Sequence, residues 1–394
     1  MAKSVEALVK PSLLEWARRT AKISTADAAA KLGVDEATLI EWETKGEPKP
    51  TLACLREMAK LYKRPLAVFY LDAPPQGFEV LRDFRMLDPE KPQITTALEF
   101  ALREASARRE QAVELARLLN VEIPVFGVAA SLDDHPDVVA EKIRARLGVT
   151  MKSQLEWKHD SAAVNAWRAA LEAAGILVFR SGALPWEDAR GFSIWAEKYP
   201  AIAFNSQEDT APRVFTMLHE AAHVALRGGG IGVCNLDDDG QGLGPRVEAF
   251  CNRVAGAVLV PRDMLLEQPE VRRERARSWR EDELKTLARR FHVSSEVIAR
   301  RLVIVGKATS EFYRARRAQM KAMHEGRRPK PKPGASGGVE LPPDRVVRES
   351  GTTFTRLVLN AYEERRITAS EVADAFDVRL KHLEDISRTV KGAA

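Results

Sequence analysis

Two histidines four residues apart, His219 and His223, stand with Glu220 in the stretch "RVFTMLHEAAHVALRGGG", residues 213–230. In a helix, positions i and i+4 share one face about one turn apart, so the two imidazoles reach a single metal ion from the same side. Glu220 then lies beside the open coordination position, where it takes a proton from a water that a zinc ion has acidified. This is the H-E-x-x-H arrangement. The preceding "VFTML" is strongly apolar. The histidines therefore sit at the edge of a core, where an unpartnered pair is costly to bury. A third ligand is predicted in "PRVEAFCNRVAGAVLVP", residues 245–261. Read as a helix, that segment places Glu248 and Asn252 on one face and Val247, Phe250, Val254 and Val258 on another. Glu248 completes a two-His, one-carboxylate set that leaves a fourth position for water, which is the catalytic rather than the structural pattern. Asn252, one turn on, suits a role in holding a ligand or Glu220 in place. The plainer alternative is a buried core helix that happens to contain these residues. Cys251 reads as a small core residue. Cys234 falls in the glycine-rich "RGGGIGVCNLDDDGQGLGP", which lacks the Lys-Ser/Thr ending of a phosphate-binding loop and reads as a flap beside the cleft.

The elements that must position these groups are mostly helical. Strand-like runs occur between about 175 and 205, as "GILVFRS", "GFSIWA" and "PAIAFN", and predict a small sheet. The histidine helix follows directly, with Asp209 or Thr210 as N-cap and Pro212 in its first turn. Residues 95–119 form one long amphipathic helix. The run "EGRRPKPKPGASGGVELPPD", rich in Pro, Gly and basic residues, reads as a linker before a last helical module. Three segments share a layout: "AAAKLGVDEATLIEW", "LARRFHVSSEVIARR" and "VADAFDVRLKHLEDI". Each has an alanine five before a valine: Ala29 and Val34, Ala288 and Val293, Ala373 and Val378. A small residue lets two helices cross closely and the valine closes the turn, as in a helix-turn-helix, although any tight helical corner needs the same packing.

At 394 residues the chain has room for two or three domains. No apolar run approaches the roughly 20 residues of a membrane-spanning helix, and the N-terminal residues lack the apolar core and cleavage site of a signal peptide. Three widely spaced cysteines argue for a reducing compartment, so a cytoplasmic location is expected. A net charge of +5 permits contact with nucleic acid or an acidic partner without requiring it.

Residues 12–71 resemble the phage-repressor (XRE) type of helix-turn-helix, through the "LGV" turn, the "WE–KGEPKPT" exit and the "LREMAKLYKRPLAVFYL" segment. The resemblance implies a five-helix DNA-binding fold whose second motif helix starts at Asp35. Arg18, Arg19, Lys22, Lys45 and Lys49 are candidates to hold phosphates, and Thr25 and Thr38 to read a base edge. Asp35, Glu36, Glu41 and Glu43 oppose that use, since phosphate contact needs Lys or Arg. Recognition of a protein by the same surface is the alternative.

The central segments "GILVF", "RGFSIW", "PAIAFN", "RVFTMLHEAAHVAL" and "VEAFCNRVAGAVLVP" resemble the ImmA/IrrE family of zinc metallo-endopeptidases, over roughly residues 120–320. The resemblance implies zinc on His219, His223 and Glu248, Glu220 as the base, and a repressor protein as the substrate class. The expected fold is α+β and predominantly helical. Its parts are a helix-turn-helix domain (1–75), a connecting long helix (76–120) and a zincin-like peptidase domain (121–265). A helix-turn-helix-like extension (266–324), a linker (325–345) and a helical C-terminal module (346–394) complete the chain. The expected function is zinc-dependent cleavage of a protein substrate. The rival is a DNA-binding transcription regulator whose peptidase-like domain serves as sensor or scaffold. The sequence does not define the oligomeric state.

Overall fold

The computed structural model describes residues 6–64, 66–74, 95–182, 184, 189–227, 243–272, 278–325 and 342–392. The glycine-rich stretch with Cys234 and most of the expected linker lie outside the described residues. Two compact units divide the chain.

The first unit contains α1 (Pro11–Thr20), α2 (Thr25–Leu32), α3 (Glu36–Thr44), α4 (Leu52–Leu61) and a 3-10 helix (Leu66–Tyr70). It also takes the residues of α5 (Thr96–Leu118) up to Ser106. Leu14, Leu39, Leu55, Met58, Tyr62 and Phe69 fill its core. The "LREMAKLYKRPLAVFYL" segment divides in two: α4 ends at Leu61, and Lys63 takes a left-handed backbone with φ 50° just before Pro65. Proline at 65 disfavours helical backbone in the residue ahead of it, so the chain turns and resumes as the 3-10 helix.

The second unit holds α6 (Pro136–Leu147), α7 (Met151–Leu155), α8 (Asp160–Ala173) and a three-stranded sheet. Its strands are β1 (Leu177–Ser181), β2 (Gly191–Ile194) and β3 (Ala201–Asn205). They lie in the order β1-β3-β2, with β1 parallel and β2 antiparallel to β3. Every residue of central β3 is buried, which accounts for its continuous apolar run in place of an alternating one. Then come α9 (Thr210–Ala225), α10 (Leu243–Leu259), α11 (Arg262–Leu266), α12 (Pro269–Arg272), α13 (Glu281–Phe291), α14 (Ser295–Ile304) and α15 (Ser310–Glu325). Asp209 occupies the N-cap position of α9, though its side chain caps no N–H. From Val214 to Ala225 every residue of α9 is buried, between β2 and β3 on one side and α8 and α10 on others. A helix apolar all round belongs inside a core, and this one carries two histidines and a glutamate there.

The three look-alike segments share one piece of backbone chemistry. Gly33, His292 and Asp377 each take a left-handed conformation immediately before the valine. The valine N–H then donates to the carbonyl of the alanine five residues back: Val34 to Ala29 at 3.1 Å, Val293 to Ala288 at 3.0 Å and Val378 to Ala373 at 3.0 Å. This is the Schellman closure of a helix C-terminus, and it explains the fixed alanine-to-valine spacing. In the second copy the helix that follows, α14, buries Val297, Ile298, Ala299, Arg301 and Leu302, so this corner serves packing within the core.

The last helices are α16 (Pro342–Ser350), α17 (Thr352–Glu363), α18 (Ala369–Phe376) and α19 (Leu383–Gly392). They form part of the second unit, α16 against β1 and α17 against α8. Glu172 of α8 caps α17, accepting from Thr352 N at 3.0 Å and Thr353 N at 3.1 Å. Arg168 lies 3.5 Å from Glu172 and donates to the carbonyls of Val178 and Arg348. Gly351 makes this joint possible. Its φ is +82°, and a Cβ there would collide with Glu172 Oε1 and lie 2.8 Å from Val178 O. Gly351→Ala is therefore expected to destabilise the protein by about 1–3 kcal/mol. Urea denaturation followed by circular dichroism tests this, and an unchanged midpoint would contradict it.

Candidate metal centre

Helices α9 and α10 bring together the three residues whose types and spacing the sequence singles out. His219 Nε2 and His223 Nε2 are 3.1 Å apart. Glu248, from α10, places Oε2 3.2 Å from His219 Nε2 and Oε1 3.4 Å from His223 Nε2. All three side chains are buried, none more than 3% exposed. Their ligating atoms lie within 4.8 Å of one another. Donors arranged tetrahedrally at about 2.0–2.2 Å from one zinc ion stand about 3.3–3.6 Å apart, so the observed separations fit a single ion. Borderline-soft zinc accepts two imidazole nitrogens and a carboxylate oxygen. Burial pushes the Glu248 carboxyl up, but the two imidazoles outweigh that and hold it well below the ordinary carboxylate range. The carboxylate is thus ionised, as a metal ligand must be.

Glu220 is fully buried on α9 beside His219. Phe215, one turn earlier on α9, sets its ring 6.3 Å from that of His219. Asn252, one turn beyond Glu248, is also buried, and with Phe215 and Arg300 it lines a small space at this end of α10. Cys251 packs in the apolar core as expected. Three other histidines do structural work. His135 and His159 cap α6 and α8, while His292 is held by Asp160 at 3.0 Å and by the Trp157 carbonyl at 3.0 Å.

Two residues that carry no signal of their own in the sequence shape the centre. Gly191, first residue of β2, lies directly against α9. A Cβ there would come within 2.6 Å of Thr216 Cγ2 and 3.5 Å of Glu220 Cγ, so only glycine lets the strand run beside the glutamate. Glu208 is 1% exposed, accepts from Thr216 Oγ1 at 2.8 Å and has Arg190 Nη1 at 3.6 Å. It links α9 to the start of β2. Neither residue stands at a recognisable spacing from the histidines; the sheet register brings them there.

In the first unit the expected phosphate-contacting side chains are largely engaged with carboxylates. Arg18 is 12% exposed and makes two hydrogen bonds to Glu43, at 2.8 and 2.7 Å, so it is a structural ion pair and not a surface cation. Glu43, itself a buried residue of α3, draws the Arg18 guanidinium inward. Thr25 Oγ1 donates to Glu36, and Lys22 pairs with Glu99 at 3.5 Å. Arg19 pairs with Glu15 and Lys45 with Glu41, but both pairs are exposed and weak enough to exchange for phosphate. Lys49 lies 3.5 Å from Glu47. Thr38 is half-buried, and Asp35, Glu36 and Ile40 are exposed around it.

The family model of the IrrE N-terminal-like domain, a peptidase family (Peptidase_M78), matches residues 171–303, about a third of the chain. That span runs from the end of α8 through the sheet, α9 and α10 to α14 and contains all the residues of the centre. No curated protein and no solved structure matches the chain. Among the described residues no helix is long and apolar enough to cross a membrane.

Burial of Glu208 pushes its carboxyl up to about 7 from an ordinary 4.5, against the opposing pull of Thr216, Arg190 and Arg213. An acid raised in the folded state is protonated in both states below about pH 4.5 and ionised in both above about 7. The folded protein thus loses up to about 3 kcal/mol as pH rises between those values. Glu208→Gln removes that loss. The variant is expected to unfold at a higher temperature than the wild type at pH 8 and at nearly the same temperature at pH 4.5. Equal effects at both pH values would contradict the assignment.

Proposed function

We propose that the second unit is a zinc-dependent endopeptidase. The observation that carries this reading is the buried trio His219, His223 and Glu248, whose ligating atoms converge within 4.8 Å while Glu220 stands next in sequence to the first of them. The match of residues 171–303 to a peptidase-family domain supports it independently. When bound, zinc supplies Lewis-acid activation of water and of the scissile carbonyl. Glu220 takes the proton of the attacking water and passes it to the leaving amine, the work of a general base followed by a general acid. Glu248 contributes negative charge that offsets the ion, and the surrounding apolar core strengthens these interactions by excluding water. Gly191 and Glu208 hold β2 beside Glu220. The substrate class that fits the sequence resemblance is a repressor protein, cleaved in a regulatory switch, and the compartment that fits the cysteine content is the cytoplasm.

The first unit reads as a helix-turn-helix module. Its α2–α3 corner, closed by left-handed Gly33, supports that reading. Use of this module to bind DNA draws less support, because Arg18 and Lys22 are committed to carboxylates and the open face of α3 presents Asp35 and Glu36. A protein partner suits this surface better. The rival in which the second unit is an idle sensor leaves the buried, converging trio without a purpose.

Glu220→Gln tests the proposal. The substitution preserves shape and leaves the three ligands in place, so zinc is expected to stay bound while cleavage falls by at least about 10²-fold. Cells expressing wild type or variant are compared for newly created protein N-termini. The reading fails if the variant generates the same cleaved ends at the same rate.

A further inference from the structure

A cleft of about 430 Å³ opens where the C-terminal helices meet the peptidase-like part of the second unit. It shares no residue with the metal centre. One wall is α8, where Ala169 and Ala173 stand one turn apart, and the facing wall is Leu357 of α17. Small-molecule sites span about 300–1,000 Å³, and this cleft falls within that range. Ala169 and Ala173 are exposed, so this wall is low and the cleft is open to solvent along α8.

The charges around the cleft are unequally satisfied. Glu172 lies at its base, but that carboxylate accepts from Thr352 N and Thr353 N and has Arg168 at 3.5 Å. Arg356, one turn into α17, also lines the cleft and is exposed. Its charge acts on Glu172 and Tyr199, but among the described residues its guanidinium makes no hydrogen bond. Its planar fork matches a carboxylate in two-point contact. Glu122 also lines the cleft, is exposed and disfavours a ligand of high negative charge.

We propose that this cleft binds a small organic monoanion, its carboxylate on Arg356 and its apolar body between Ala169, Ala173 and Leu357. Such a ligand touches α8 and α17 together, so its binding strengthens the attachment of the C-terminal helices to the domain that carries the metal centre. The proposal is independent of peptidase activity.

The test uses the full chain with benzoate as probe, neutral benzyl alcohol as its uncharged counterpart and inorganic phosphate as a bare anion. Benzoate is expected to raise the unfolding temperature saturably, and the other two are not. Arg356→Met, a change at an exposed side chain, is expected to abolish the benzoate shift. Ala173→Leu, which fills the cleft, is expected to abolish it as well while keeping the protein folded by circular dichroism. No saturable shift with benzoate in the wild type overturns the proposal. So does a shift that survives Arg356→Met, or an equal shift with benzyl alcohol or with phosphate.

Discussion

The structure of the second unit is organised around one electrostatic problem. Two imidazoles and two carboxylates are buried where α9 and α10 pack into the apolar core. Burying an ionised carboxylate without partners is prohibitive. Glu248 meets the problem by facing both Nε2 atoms at 3.2 and 3.4 Å, and the three side chains together offer the donor set of a metal site. Every neighbouring element is arranged to keep that group in place. The sheet backs α9, α10 delivers Glu248 from outside α9, and Gly191 allows β2 to come up to Glu220 without a side chain between them.

The same economy of local rules builds the rest of the molecule. One helix-ending device, a left-handed residue followed by a valine bonded back to an alanine, turns the chain in both units. What distinguishes its three uses is the surroundings. In α2–α3 the following helix keeps an exposed face, whereas after α13 it is enclosed by the core and its arginine, Arg301, bonds the Val260 carbonyl and Asp137. The motif specifies a corner, and burial decides whether the corner is free to meet a partner. At the chain's end, α17 is tied to α8 by a carboxylate on its N-terminal N–H groups, an interaction that combines hydrogen bonding with the positive end of the helix dipole.

Much of the centre was legible in the sequence because helical periodicity translates spacing into direction. His219 and His223 had to share a face, and Glu248 stood out as a carboxylate on an otherwise apolar helix. The three strands were legible from their bounded apolar runs, but the central place of β3 was not. Glu208 and Gly191 were not, since their roles depend on which strand lies beside α9 and in what register. The pairing of Arg18 with Glu43 was hidden for the same reason: 25 residues separate them, and only the packing of α1 on α3 joins them. The packing of the C-terminal helices on β1 and α8 was equally invisible, because Arg168 and Glu172 look like an ordinary charged pair on a helix surface.

The most direct test of the central claim is the metal content of the purified protein, measured by elemental analysis for wild type and for Glu248→Ala. The account predicts about one zinc per chain in the wild type and its loss in the variant, with both proteins folded. A wild type that holds no zinc after reconstitution, or a variant that holds it as tightly, would contradict the account and leave the buried histidines as a feature of the core alone.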